Sequence, residues 1–112
     1  MSNRKVPESV ARLTEEFVNQ MGQLYGDRLN KVILYGSYAR GDQHEDSDID
    51  YLVVLNDEEI KTLREISIIS TITSSLGLKY GLWISAVPFT TRKLSSGQTP
   101  LSLNVYNEGI LL

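Results

Sequence analysis

Apolar positions recur along this chain with two different periods, and the change from one to the other marks out the elements. Between residues 7 and 25, Val10, Leu13, Phe17, Met21 and Leu24 fall on one helical face, which predicts a helix covering a sheet. Pro7 suits its first turn, Glu8 the positive end of its dipole, and Gly26 its close. Two apolar runs follow, Lys31–Tyr35 and Asp48–Leu55, and they read as neighbouring antiparallel strands joined by a polar loop.

A second helix is expected over roughly 57–76, capped by Asp57 or Asn56, with Glu58 and Glu59 in its first turn. Its apolar side is Ile60, Leu63, Ile66, Ile69, Ile72 and Leu76, and Gly77 is the expected stop. The stretch Ile66–Ser75 is rich in β-branched and hydroxyl residues, so propensity alone would allow a strand; spacing by threes and fours decides for the helix. A third strand, Leu82–Phe89, follows Gly81, and a right-handed crossover sets it parallel to the second strand and beside it. Thr90–Gln98 reads as a polar loop. Thr99 and Pro100 then open a short helix to about Glu108, which Gly109 ends. The apolar tail Ile110–Leu112 docks either on the chain's own core or on a partner's surface. Together these elements predict an α/β (α+β) fold, a small mixed sheet packed with helices, in one domain spanning 1–112.

Composition narrows the class without naming it. With 112 residues there is length for one core, and 41% hydrophobic and 22% charged residues are ordinary for a soluble protein. A net charge of −3, with Lys and Arg scattered, gives no strong nucleic-acid signal. The absence of cysteine excludes a disulfide framework and thiolate metal sites. No apolar run follows the charges at the N-terminus as in a signal peptide, and none approaches the ~20 residues of a membrane span, so the expected location is cytoplasmic.

The candidate chemistry lies between the first two strands. Side chains alternate along a strand, so Asp48 and Asp50 point to one side, and two adjacent carboxylates repel unless a cation sits with them. Mg²⁺ is the natural candidate, because it takes one or two protein carboxylates and completes its octahedron with water and phosphate oxygens. At the other strand's end, Gly36 permits close backbone approach, Ser37 offers a hydroxyl and an amide, and Tyr38-Ala39-Arg40 can begin a turn whose N–H groups face an anion. Arg40 adds a positive charge, and Gly41 lets the chain turn into the loop Asp42–Ser47. Taken singly, a Gly-Ser after a strand is more often an ordinary turn and an Asp-x-Asp a solvated edge. Their combination, ten residues apart and each joined to an apolar strand, is what carries the signal. His44, the single histidine, is read as a solvated loop residue, and Tyr38 as a partly buried loop tyrosine.

Gly36-Ser37, ten residues, then Asp48-Ile49-Asp50 resembles the G-S-x10-D-x-D signature of the DNA-polymerase-beta-like nucleotidyltransferase superfamily. The short chain and the form Gly36-Ser37-Tyr38-Ala39-Arg40-Gly41 resemble its minimal nucleotidyltransferases, antitoxins found beside HEPN-domain toxins. The resemblance implies a nucleotidyltransferase fold in which Gly36, Ser37, Arg40 and Ser47 bind nucleotide, while Asp48 and Asp50 hold Mg²⁺ and are catalytic. It implies transfer of an NMP, AMP from ATP foremost, with another nucleoside triphosphate as the other option, to a hydroxyl of a HEPN-type partner. Active members carry a third acid on a later strand. Here that strand reads Leu82-Trp83-Ile84-Ser85-Ala86-Val87-Pro88, with Ser85 at the expected place, and no Asp or Glu occurs between Glu65 and Glu108. General-base help is worth about 10²–10⁴-fold, and Asp46, Glu45 or a partner group are the available substitutes. The alternative is a nucleotidyltransferase-like module that neutralises or regulates its partner by contact alone.

Overall fold

The computed structural model describes residues 1–112. In chain order it contains helix α1 (Glu8–Tyr25), a 3₁₀ turn (Gly26–Arg28), strand β1 (Leu29–Tyr35), helix α2 (Ser37–Arg40) and strand β2 (Ile49–Leu55). Helix α3 (Thr62–Tyr80), strand β3 (Ile84–Thr90), helices α4 (Thr91–Ser96) and α5 (Pro100–Glu108), and strand β4 (Ile110–Leu111) complete it. The sheet order is β3-β2-β1-β4. β2 runs antiparallel to β1 and parallel to β3, as the alternation of elements requires, and β4 pairs antiparallel with β1. No helix is long and apolar enough to cross a membrane.

The two faces of the sheet bury two separate apolar clusters. Val32 and Leu34 of β1 and Ile49, Tyr51, Val53 and Leu55 of β2 pack with α1 and α3, while Ile33, Leu52 and Val54 pack with Phe89, Leu94 and Val105 of the β3–α5 region. Alternation along β2 therefore sends Asp50 to the face shared with α4 and α5. Tyr51, pointing the other way, stacks on Phe17 of α1 at 4.2 Å, and its hydroxyl bonds Thr14 at 2.7 Å. That contact anchors the strand that carries Asp50.

Several predicted details are corrected. Leu24 is half-exposed, and Tyr25 takes the last inward place on α1, because its hydroxyl donates to the buried Glu65 carboxylate at 2.9 Å. α3 begins at Thr62 rather than 57: Asp57 accepts Arg28 Nε at 3.0 Å, and Asn56 bonds Asn30 and the Asp27 carbonyl, so the predicted caps instead tie the loop to the start of β1. Its inward stripe is Glu65, Ile69, Ile72 and Leu76, leaving Leu63 83% exposed and Ile66 outward; a charged residue fills the first inward place, so a count of apolar positions alone sets the helix in the wrong rotation.

Gly77 does not stop α3. The helix runs to Tyr80 and ends at left-handed Gly81, and Gly77 instead makes room for the returning Leu82 carbonyl, which a Cβ would meet at 2.7 Å. The predicted polar loop 90–98 contains α4, capped by the Thr90 hydroxyl, which accepts the Lys93 N–H, and pinned by buried Leu94. The apolar tail docks on the chain's own sheet as β4, with Ile110 buried against β1 and bridged by Ser2.

Candidate active site

The end of β1 and the beginning of β2 lie side by side, with Tyr35 opposite Asp50. At this junction Gly36 has φ +78°, a left-handed conformation that favours glycine, and its carbonyl receives the N–H groups of Ala39 and Arg40 to close the turn into α2. A second reason for glycine is space: a Cβ at Gly36 would collide with Asp50 Oδ2 and stand 3.2 Å from its Cγ. The glycine turn and the carboxylate are in direct apposition.

Around them opens a cleft of about 500 Å³ lined by eleven residues, among them Gly36, Ser37, Arg40, Ser47, Asp48 and Asp50. All six residues singled out from the sequence therefore meet in one place. His44 and Asp46 also line it, whereas Tyr38 is buried within α2 rather than lying in a loop. Ser47 closes its own loop, accepting the His44 N–H at 2.9 Å on its hydroxyl while its N–H donates to the His44 carbonyl. Gln43 Oε1, in the same loop, is buried without a partner.

The electrostatics of the cleft are dominated by carboxylates. Burial, with the neighbouring Asp48 charge next, pushes the Asp50 carboxyl up to about 6; the Arg40 guanidinium opposes this and Glu108 adds to it. Burial and the charges of Asp50 and Glu108 likewise push the Tyr35 hydroxyl up to about 12. No cluster of three or more His, Cys, Asp or Glu residues is arranged to hold a metal, and the carboxylates lining the cleft include those of Asp48 and Asp50. The Asp48–Asp50 pair fits such a role chemically: hard oxygen donors, one of which resists ionising because it is partly buried and lies beside the other's charge.

Ser85 of β3 pairs directly with Asp50 in the parallel register. The place read from the sequence as that of a third acid is thus adjacent to the carboxylate pair, and a serine holds it. Glu108, which periodicity marks only as the end of α5, lines the same cleft. Its Oε1 accepts the Gly36 N–H at 3.1 Å, and both its oxygens accept Arg40 Nη1 at 3.0 Å. Arg40 also donates to Asp42 through Nε at 3.0 Å. The only sequence signal for Glu108 was an acid at the negative end of a helix, where it is unfavourable without a partner.

A glycine-serine turn closed onto paired carboxylates at the mouth of a mixed sheet defines a nucleotidyl-transfer architecture. The family model described as "Nucleotidyltransferase domain" matches residues 14–110, and the chain belongs to that family. It is 40% identical over 78 residues to a Methanocaldococcus jannaschii protein named "putative protein adenylyltransferase", covering 70% of this chain and 77% of that one. A second protein of the same name and organism is 41% identical over 73 residues, covering 65% and 66%. Among solved structures, a toxin–antitoxin with AMP-PNP superposes with a TM-score of 0.60 at 24% identity, over 87% of this chain and 70% of that one, a likeness of fold. A structure titled "putative minimal nucleotidyltransferase" does so with a TM-score of 0.56 at 30% identity, over 90% and 91%. The chain is a nucleotidyltransferase of the minimal type.

Proposed function

We propose that this chain transfers AMP from ATP, in a Mg²⁺-dependent reaction, to a hydroxyl of a partner protein, and that the partner is a HEPN-type toxin for which it is the antitoxin. The apposition of Gly36 and Asp50 carries this reading, because it places a backbone able to approach phosphate against a carboxylate able to hold the phosphate's metal. Two further observations support it: relatives named for protein adenylyl transfer, and solved neighbours that are toxin–antitoxin complexes, one with AMP-PNP.

In this reading Gly36, Ser37, Arg40 and Ser47 receive the nucleotide, with Gly36 and Ser37 on its triphosphate, and Asp48 and Asp50 hold Mg²⁺. The ion, when bound, supplies charge neutralisation on the phosphate oxygens. The acceptor oxygen bonds to the α-phosphorus as the bond from that phosphorus to pyrophosphate breaks; the hydroxyl proton leaves to a cleft carboxylate such as Asp46 or to water. The chain's own part is positioning and charge complementarity, which is why so few residues serve.

The decisive experiment follows label from α-labelled ATP into the partner that co-purifies with the chain, comparing wild type with Asp48→Ala. Label on the wild-type partner and its loss in the variant is the expected result. Equal labelling would overturn the enzymatic reading in favour of neutralisation by contact, which the serine at position 85 favours.

A further inference from the structure

Glu108 lies 72 residues along the chain from Gly36, yet its carboxylate holds the Gly36 N–H and the Arg40 guanidinium, two of the donors assigned above to the nucleotide. Carboxylate and phosphate compete for such donors, because each can present two anionic oxygens to backbone amides and guanidinium forks. The side chain is only 17% exposed. It does nothing for its own helix, since it ends α5 at the negative pole and the last turn carries no basic residue.

The backbone at this point is fixed from both sides. The Glu108 carbonyl accepts Arg4 Nη2 at 2.9 Å, and the next N–H, of Gly109, donates to the Val105 carbonyl at 2.8 Å. Gly109 is itself boxed in, because a Cβ there would meet the Val105 carbonyl oxygen at 2.5 Å and Ile33 Cγ2 at 2.8 Å. Ile110 then enters the sheet beside β1. What remains free to swing at position 108 is the carboxylate on its two methylenes.

We propose that Glu108 is a built-in occupant of the triphosphate cradle, a carboxylate gate that a nucleotide must displace from Gly36 and Arg40 before it can seat. The proposal rests on the reading that the Gly36–Ser37 turn receives the triphosphate. It deepens that reading by giving the apo site a ligand of its own. A ligand with no phosphates has nothing to exchange for the Glu108 contacts, whereas a polyphosphate replaces each of them and brings its own cation. The gate thus selects for polyphosphate over nucleoside.

Titration calorimetry of the purified chain with Mg-ATP, inorganic triphosphate and adenosine, in wild type and Glu108→Gln, tests this. Gln keeps the length and removes the charge. Because the nucleotide no longer has to displace a charge-assisted acceptor, the variant is expected to bind Mg-ATP and triphosphate at least about tenfold tighter, with adenosine unchanged. A purely structural Glu108 would shift all three ligands together, or weaken them.

Glu108→Asp, whose carboxylate is one methylene shorter, serves if the Gln variant does not fold. In the wild type, the amide resonance of Gly36 is expected to move on adding triphosphate as one acceptor replaces another. If wild type binds Mg-ATP and Asp48→Ala weakens it while neither Glu108 variant binds tighter, the gate is wrong and the site reading stands. If the Gly36 amide is unmoved by Mg-ATP in wild type and variants alike, both are wrong.

Discussion

The carboxylate of Asp50 occupies the space that a side chain on Gly36 would need. Gly36 also sits at φ +78°, so an alanine there meets two separate penalties, one in backbone conformation and one in collision. Gly36→Ala is expected to destabilise the fold by about 1–3 kcal/mol and to lower nucleotidyl transfer at least about 100-fold, because a 1 Å misplacement at a reacting centre has that effect. Denaturant unfolding and transfer rates measured together check both. A variant with native activity would show that the close apposition has no part in the reaction.

Burial makes the Asp50 carboxylate a pH-sensitive element of the fold. Its carboxyl, ordinarily near 3.8, is raised to about 6 in the folded chain, so the folded state binds the proton more tightly than the unfolded one. The resulting stabilisation is fully present below the ordinary value and is lost as pH rises through about 6. Asp50→Asn, which mimics the protonated form, is therefore expected to be more stable than wild type by about 1–2 kcal/mol at pH 7.5 once solvent screening is allowed for. Near pH 4 the difference should vanish. Thermal melts at the two pH values decide it.

On the proposed reading, protons and Mg²⁺ compete for the Asp48–Asp50 carboxylates. Mg²⁺ affinity is expected to fall as pH drops through about 6, where Asp50 takes up its proton. Titration of Mg²⁺ at pH 5 and pH 7.5 should show weaker binding at the lower value in wild type. Asp50→Asn should lose that dependence along with most of the affinity.

Ser85 lies opposite Asp50 in the β2–β3 register. Ser85→Asp places a carboxylate beside the pair and is expected to raise the transfer rate by about 100-fold, the lower end of the range for general-base help. It should also lower stability in the absence of Mg²⁺, since it adds a like charge to a cleft already crowded with them. Single-turnover transfer with and without the substitution, at fixed Mg-ATP, is the measurement.

At the far end of the same strands, where Leu29 pairs Leu55, the buried Glu65 carboxylate accepts the Tyr25 hydroxyl at 2.9 Å and Arg28 Nη2 at 3.3 Å. Glu65→Ala leaves a buried hydroxyl unpartnered and is expected to cost about 2–4 kcal/mol. Transfer activity per folded molecule should be unchanged, because this network lies away from the cleft. A stability change below about 0.5 kcal/mol would show that water replaces the carboxylate without loss.

Much of the fold was legible because local periodicity records which side of an element is dry. The spacing of Val10, Leu13, Phe17 and Met21, the continuous run Tyr51–Leu55, and the strand–helix–strand order yielded α1, the central strand and the parallel β2–β3 pair. The motif residues Gly36, Ser37, Arg40, Ser47, Asp48 and Asp50 were legible too, since a turn and two carboxylates on neighbouring strand ends need only short-range geometry to meet.

Three of the departures at polar positions share one cause. Glu65 in the inward stripe of α3, Asp57 turned to Arg28 rather than to a helix cap, and Tyr25 in place of Leu24 are all polar groups placed by partners far along the chain. Glu108 is the strongest case: nothing within ten residues of it predicts a contact with Gly36, and only the return of the C-terminal segment into the sheet beside β1 brings it there. By itself the sequence determined three of the four strands, their connections and the acid pair, because burial and turns leave periodic local marks. Tertiary structure alone decided which carboxylate fills the cradle, because an ion pair between distant residues leaves no such mark until the chain has closed.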